Sequence, residues 1–157
     1  MNANMTLAAL LEEEHQQIDS GIEAFASAEN GDDRTGELTT AIQALRRHIY
    51  LEEAMVFPSL RAAGMVAPVF VMLREHGEIW RTLDELETGV ASGADRTELL
   101  TFCAQLTGQL DSHNMKEEQI LYPQTDGVLT GEATAELRAF LASGELPDGW
   151  ACAQARA

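Results

Sequence analysis

One phrase occurs twice in this chain, and it narrows what the chain can fold into more than any other feature. His48-Ile-Tyr-Leu-Glu52-Glu53-Ala-Met-Val-Phe57-Pro58 returns as His113-Asn-Met-Lys-Glu117-Glu118-Gln-Ile-Leu-Tyr122-Pro123, both of the form H-x-x-x-E-E-x-(M/I)-(V/L)-(F/Y)-P without a gap. On an α-helix a four-residue step sets the His and the first Glu on one face, one turn apart. An imidazole and a carboxylate stacked in this way can ligate one metal ion or two adjacent ones. A single H-x-x-x-E is weak evidence, because a salt-bridged surface pair produces it as readily. Two copies that agree throughout are strong evidence. The repeat also reaches upstream. Glu14-His15-Gln-Gln-Ile18 and Glu75-His76-Gly-Glu-Ile79 share E-H-x-x-I, each one helix before an H-x-x-x-E, and all four histidines of the chain fall inside the repeat.

Hydrophobic periodicity predicts four long helices around these motifs. The first, over 5–29, carries Leu11, His15, Ile18, Ile22 and Phe25 on one stripe, with Thr6 as N-cap and a turn at Asn30-Gly31-Asp32-Asp33. The second, over 36–63, aligns Ala41, Leu45, His48, Glu52, Met55 and Ser59; Pro58 is expected to kink or split its last turns, and Gly64 closes it. A third, over 67–91, begins near Pro68 and aligns Val69, Met72, His76, Ile79, Trp80, Leu83 and Leu86. The fourth, over 95–122, follows a capped loop and aligns Leu99, Phe102, Leu106, Leu110, His113, Glu117 and Ile120, with Pro123 as its stop. From Gly131 a short amphipathic fifth helix is expected as a lid over one end, and no function is read in the tail after Pro147. Short loops between long helices predict an all-α, up-down four-helix bundle: one domain, its bundle at about 5–123 and a short helix and tail over 124–157. In antiparallel alternation, at about 1.5 Å per residue, His15, His48, Glu52, His76, His113 and Glu117 come to one broad layer.

At 157 residues with 45% hydrophobic content the chain can bury a sizeable core. Its 26 acidic and 10 basic residues give a net charge of −16, which argues against nucleic acid and anionic membranes as partners and mildly favours cations. No stretch approaches the about 18 apolar residues of a membrane span, and the start of the chain lacks the basic region of a signal peptide. Cys103 and Cys152 have no paired spacing; the first is expected to be a buried apolar residue and the second to lie in a frayed tail, both bystanders in a reducing cytoplasm.

A His on an apolar stripe is more often a hydrogen-bonded core residue than a ligand. A buried, unpaired Glu is rarer, because it costs several kcal/mol. Six such residues at one level have no purely structural account, whereas a metal site offsets their cost, since neutral imidazole and ionised carboxylate are the ligating forms. Two Glu on opposite helices are placed to bridge a pair of ions, so two ions fit better than one. Mixed imidazole and carboxylate donors without thiolate point to iron first, and to manganese or zinc second. The spacing differs from the Glu-x-x-His of ferritin-like bundles. Glu53 and Glu118 read as solvated flanking residues or as groups that orient a ligand, Asp19 as an orienting group or a surface residue, and Tyr50 and Tyr122 as packing.

On these motifs the sequence resembles the hemerythrin-like (HHE) cation-binding domain family over roughly residues 7–123. The resemblance implies His15, His48, Glu52, His76, His113 and Glu117 as ligands of a non-haem di-iron centre, bridged by the two carboxylates and an oxo or hydroxo group. It also implies roles known in the family: dioxygen binding, oxygen or redox sensing, and repair of iron–sulfur centres. Two departures separate the chain from the oxygen carriers of the family. Those have two His a turn apart on the third helix, where His76 has Met72 before it and Trp80 after it. Their last carboxylate is an Asp five residues beyond its His, where Glu117 stands at four and Glu118 at five. The reading that follows is a protein binding O2 or NO for sensing, storage or redox buffering. One alternative is a di-iron oxidoreductase or iron–sulfur repair factor; another is a bundle whose metal only holds the fold. Binding is ranked ahead of enzymatic turnover, and no protein partner is named.

Overall fold

In the computed structural model, which describes residues 4–29 and 31–156, the chain forms seven α-helices and two π-helical turns, and no strand among those residues. The helices are α1 (Leu7–Ala26), α2 (Thr35–Leu51), α3 (Phe57–Ala62), α4 (Val66–Ser92), α5 (Arg96–Lys116), α6 (Tyr122–Val128) and α7 (Gly131–Ser143). The π-helical turns, Glu52–Val56 and Glu117–Leu121, join α2 to α3 and α5 to α6. Asn30 of the expected turn, and Met1, Asn2 and Ala3 of the leader reading, lie outside the described residues. Thr6 caps α1 as expected, its side chain accepting from the Ala9 N–H. Asp126 of α6 adds a second cap by accepting from the N–H groups of Leu7 and Ala8. Asp95 caps α5 by accepting from the Glu98 N–H, and Gly93, at φ 73°, ends α4 in the left-handed conformation that favours glycine.

The helices pack as a bundle: α1 lies against α2, α4 against α5, and the two pairs meet through α1 with α5 and α2 with α4. The apolar interior falls into two clusters. One holds Ile18, Ile22, Phe25, Leu45, Ile79, Trp80, Leu83, Leu106 and Leu110; the other holds Leu7, Leu11, Leu51, Phe57, Val69, Met72, Leu121 and Tyr122. The change from one cluster to the other falls between Leu11 and Ile18 on α1 and between Met72 and Ile79 on α4, around His15 and His76; beyond His48 and His113 the second cluster begins at Leu51 and at Leu121. The polar layer is thus sealed above and below by hydrocarbon.

The π-helical turns correct the sequence reading. The Phe57 N–H donates to the Glu52 carbonyl and the Tyr122 N–H to the Glu117 carbonyl, five residues back. Pro58 and Pro123 follow directly. A proline has no N–H to give, and in an α-helix its ring would press on the carbonyl four residues back, here Ala54 or Gln119. Widening the preceding turn relieves both problems. Pro123 therefore does not stop the helix, which runs on as α6. The extra residue also shifts the buried face by one position. Ile120, expected inside, is 49% exposed, whereas Leu121 and Tyr122 are buried; in the first copy Val56 and Phe57 are the residues that turn inward.

The tail is a second correction. Cys152 is buried and packs with the core, not frayed. Trp150 meets the rings of Tyr50 and Trp80, Arg81 donates to the carbonyls of Gln154 and Ala155, and the tail crosses α4 at Gly77. A Cβ at Gly77 would lie 2.4 Å from the Gln154 carbonyl oxygen, so the crossing requires glycine. Helix α7 packs on α1 and on the Glu52–Val56 turn, near the polar layer.

Candidate metal centre

All six sequence-predicted residues meet in the polar layer, as two groups that share both carboxylates. His15, His48, Glu52 and Glu117 form one, and Glu52, His76, His113 and Glu117 the other; within each, donor atoms lie within 4.8 Å of one another. Glu52, Glu117 and His76 are 0% exposed. His15 Nε2 is 3.1 Å from Glu117 Oε1, His76 Nε2 3.2 Å from Glu52 Oε1, His113 Nε2 3.2 Å from Glu117 Oε2, and His48 Nε2 3.6 Å from Glu52 Oε1. Donors cis to one another on an octahedral ion with bonds of about 2.1 Å lie about 3 Å apart. The spacing suits a cation between them. One atom makes the same point: Glu117 Oε2 is buried and accepts no hydrogen bond, although His113 Nε2 is 3.2 Å away. A buried carboxylate oxygen left in this state is costly unless a cation faces it.

Each imidazole is turned by a carboxylate on another helix. Nδ1 of His15 meets Glu118 at 2.8 Å, that of His48 meets Glu14 at 2.9 Å, that of His76 meets Glu53 at 2.7 Å, and that of His113 meets Glu75 at 3.0 Å. A carboxylate at Nδ1 keeps a proton there and leaves Nε2 as the inward donor, which is the arrangement of a ligating histidine. Three of these carboxylates are themselves anchored. Arg47 donates to Glu14 and to the carbonyls of Phe140, Leu141 and Gly144 at the end of α7. The Ala153 N–H of the tail donates to Glu53, and Lys116 to Glu75. Sequence reading missed Glu14 and Glu75 and left Glu53 and Glu118 open. The available signal was that each predicted ligand pair carries an adjacent glutamate: Glu14-His15, Glu52-Glu53, Glu75-His76, Glu117-Glu118. Asp19 is exposed and is not hydrogen-bonded to His15.

Tyr122, expected to be packing, stands inside the first group. Its hydroxyl lies 3.0 Å from His15 Nε2 and 3.1 Å from His48 Nε2, and it is 2.8 Å from Glu52 Oε2 and 3.2 Å from Glu117 Oε1. Five residues after Glu117 on an α-helix it would face away; the π-helical turn brings it round. Its counterpart Phe57 is brought round in the same way. Tyr122 stacks on His15 at 5.3 Å and Phe57 on His76 at 5.4 Å. Met72 belongs to the cluster of Phe57 and Tyr122, whereas Trp80 lies in the other cluster, under Arg46 and against Trp150.

The layer's own charges hold protons within it. Burial works against a charged His15, but Glu117, with Glu52 and Glu118, pushes its pKa up to about 9. Burial is likewise outweighed at His113, which Glu117, with Glu75 and Glu52, pushes up to about 10. Burial and the charge of Glu117 push Glu52 above the usual carboxylate range, whereas Glu117 is held well below it, against burial, chiefly by His113. Burial and both carboxylates push the Tyr122 phenol well above its ordinary value, so it is a donor here. A bound cation reverses this logic, competing with protons for the same lone pairs. The two cysteines take no part: both are unpaired and sit in the apolar core.

The profile of the hemerythrin HHE cation-binding domain matches residues 6–125 of the chain. No curated protein and no solved structure matched it. The match takes in both copies of the repeated phrase, both E-H motifs and all six clustered donors. This chain belongs to the hemerythrin HHE cation-binding domain family.

Proposed function

We propose that the chain is a non-haem di-iron protein that binds a small diatomic molecule, O2 or NO, for sensing, storage or redox buffering. The observation that carries it is the layer itself: four Nε2 atoms fixed inward by four outer carboxylates, around two buried glutamates of which one oxygen accepts no hydrogen bond. His15 and His48 would hold one ion, His76 and His113 the other, with Glu52 and Glu117 bridging. Borderline imidazole and hard carboxylate donors, without thiolate, favour iron over zinc. Iron supplies a reversible one-electron couple and coordination positions beyond those that the protein fills. The protein's part is to fix the imidazole tautomers through Glu14, Glu53, Glu75 and Glu118, and to keep bulk water out with the two apolar clusters. The pairing of successive helices supports the up-down four-helix order expected from the sequence. No helix among the described residues is long and apolar enough to cross a membrane. Two unpaired thiols suit a reducing compartment, and we place the protein in the cytoplasm.

Metal analysis with an optical spectrum tests the iron assignment: about two irons per chain and a near-ultraviolet bridge band are expected. A colourless chain that takes up only zinc would leave the metal a structural role. Rapid mixing of the reduced protein with O2 then tests the binding role. A reversible adduct is the expected result, and fast irreversible oxidation would point to turnover instead.

A further inference from the structure

The repeat is close to symmetric in its ligands and breaks at one place inside the layer. Phe57 and Tyr122 occupy equivalent positions, each delivered by a π-helical turn and each stacked on a histidine of the other repeat at nearly the same distance. They differ by one oxygen atom. On the Tyr122 side that atom is 2.8 to 3.2 Å from all four donors of its group. Neighbouring donors to one cation would lie about 3 Å apart, so the hydroxyl has the spacing of a fifth donor to the group. On the Phe57 side there is no such oxygen, and there Glu117 Oε2 accepts no hydrogen bond, with His113 Nε2 at 3.2 Å. The phenyl group of Phe57 carries only hydrocarbon into the buried apolar cluster that it shares with Leu60, Val69 and Met72.

Building on the di-iron reading above, we propose that the two metal positions are inequivalent. Tyr122 Oη is a ligand of the metal held by His15 and His48, and the position open to an external diatomic molecule lies on the metal held by His76 and His113, against Phe57. When Tyr122 ligates, its O–H bond breaks, the proton leaves to solvent, and an Oη–metal bond forms; no electron is transferred. The apolar wall then favours an uncharged diatomic over an anion or water at the remaining position. Tyr122 itself is completely buried and clamped by its stack on His15, so it has little freedom to swing aside.

The ferric protein, loaded with iron, tests the first half by visible absorption and resonance Raman. Phenolate-to-iron charge transfer and phenolate vibrations are expected in the wild type. Both should vanish in Tyr122→Phe while bound iron stays at about two per chain. A di-iron wild type without phenolate modes, or with modes that survive in Tyr122→Phe, overturns the ligand assignment and leaves the di-iron reading standing. A wild type that takes up no iron overturns that reading first. Titration of the ferrous protein with nitric oxide, followed by electron paramagnetic resonance, tests the second half. About one NO per two irons is expected in the wild type, less than about a tenth of that in Phe57→Tyr, and a rise toward two in Tyr122→Phe. Equal NO uptake by the wild type and Phe57→Tyr would show that the open position is elsewhere.

Discussion

Four glutamates outside the ligand set decide how the histidines present themselves, and they are not equally protected. Glu53 has 7% of its side chain exposed and receives an N–H from Ala153, whereas Glu118 is 38% exposed and has no such anchor. Water can take the place of an exposed partner more easily than a buried one. Loss of a carboxylate behind a ligating His typically costs 10- to 100-fold in metal affinity. Glu53→Ala should therefore weaken metal binding by about 10- to 100-fold, and Glu118→Ala by clearly less. Competition against a chelator of known affinity measures both, and equal losses would show that anchoring is irrelevant. Glu53→Gln, which keeps a hydrogen-bond acceptor toward Nδ1, should recover part of the loss.

At the scale of elements, the π-helical turns and the tail do the placing. The one-residue shift after Glu117 predicts that Leu121→Ala destabilises the fold by about 2 to 5 kcal/mol, and Ile120→Ala by less than about 0.5 kcal/mol. Urea denaturation of the two variants checks this, and an uninterrupted helix would reverse their order. The tail makes a second prediction. Gly77→Ala should push Gln154 off α4, free the Ala153 N–H from Glu53, and shift the fluorescence of Trp150. Weaker metal binding should follow, with unchanged helix content by circular dichroism. An unshifted fluorescence would show that the tail yields without leaving. These two elements also mark the limit of what could be read from the sequence. The helices and the common level of the six donors follow from a 3.6-residue period, and the Thr6 cap from a hydroxyl just ahead of the first apolar stripe; these were legible. A π-helical turn adds one residue without altering composition, so the phase of Leu121 and Tyr122 was not legible. The pairing of Glu53 with Ala153 joins positions 100 residues apart through a backbone N–H, and no side-chain pattern announces it.

The whole molecule answers to pH in opposite ways with and without metal. His15 at about 9 and His113 at about 10 stand above the ordinary 6.5. In the metal-free chain their imidazolium forms therefore stabilise the fold fully below about pH 6.5, and that contribution is lost as pH rises through about 9 to 10. Bound metal needs the same nitrogens unprotonated, so acid displaces it. Thermal melts should show the metal-free Tm falling from about pH 7 to about pH 10, while the gain in Tm on adding metal grows over the same range. A metal-free Tm that rises with pH would contradict the proton-held layer. In that layer each group takes both imidazoles from one repeat and one carboxylate from each. A symmetric pair of identical half-length chains could build the same six donors. Such a pair, however, would have to carry the same residue at both places now held by Phe57 and Tyr122. Identity would be forced on its two ions. Joining the halves into one chain removes that constraint, and a single differing oxygen atom would then suffice to divide the labour between the two proposed metal positions.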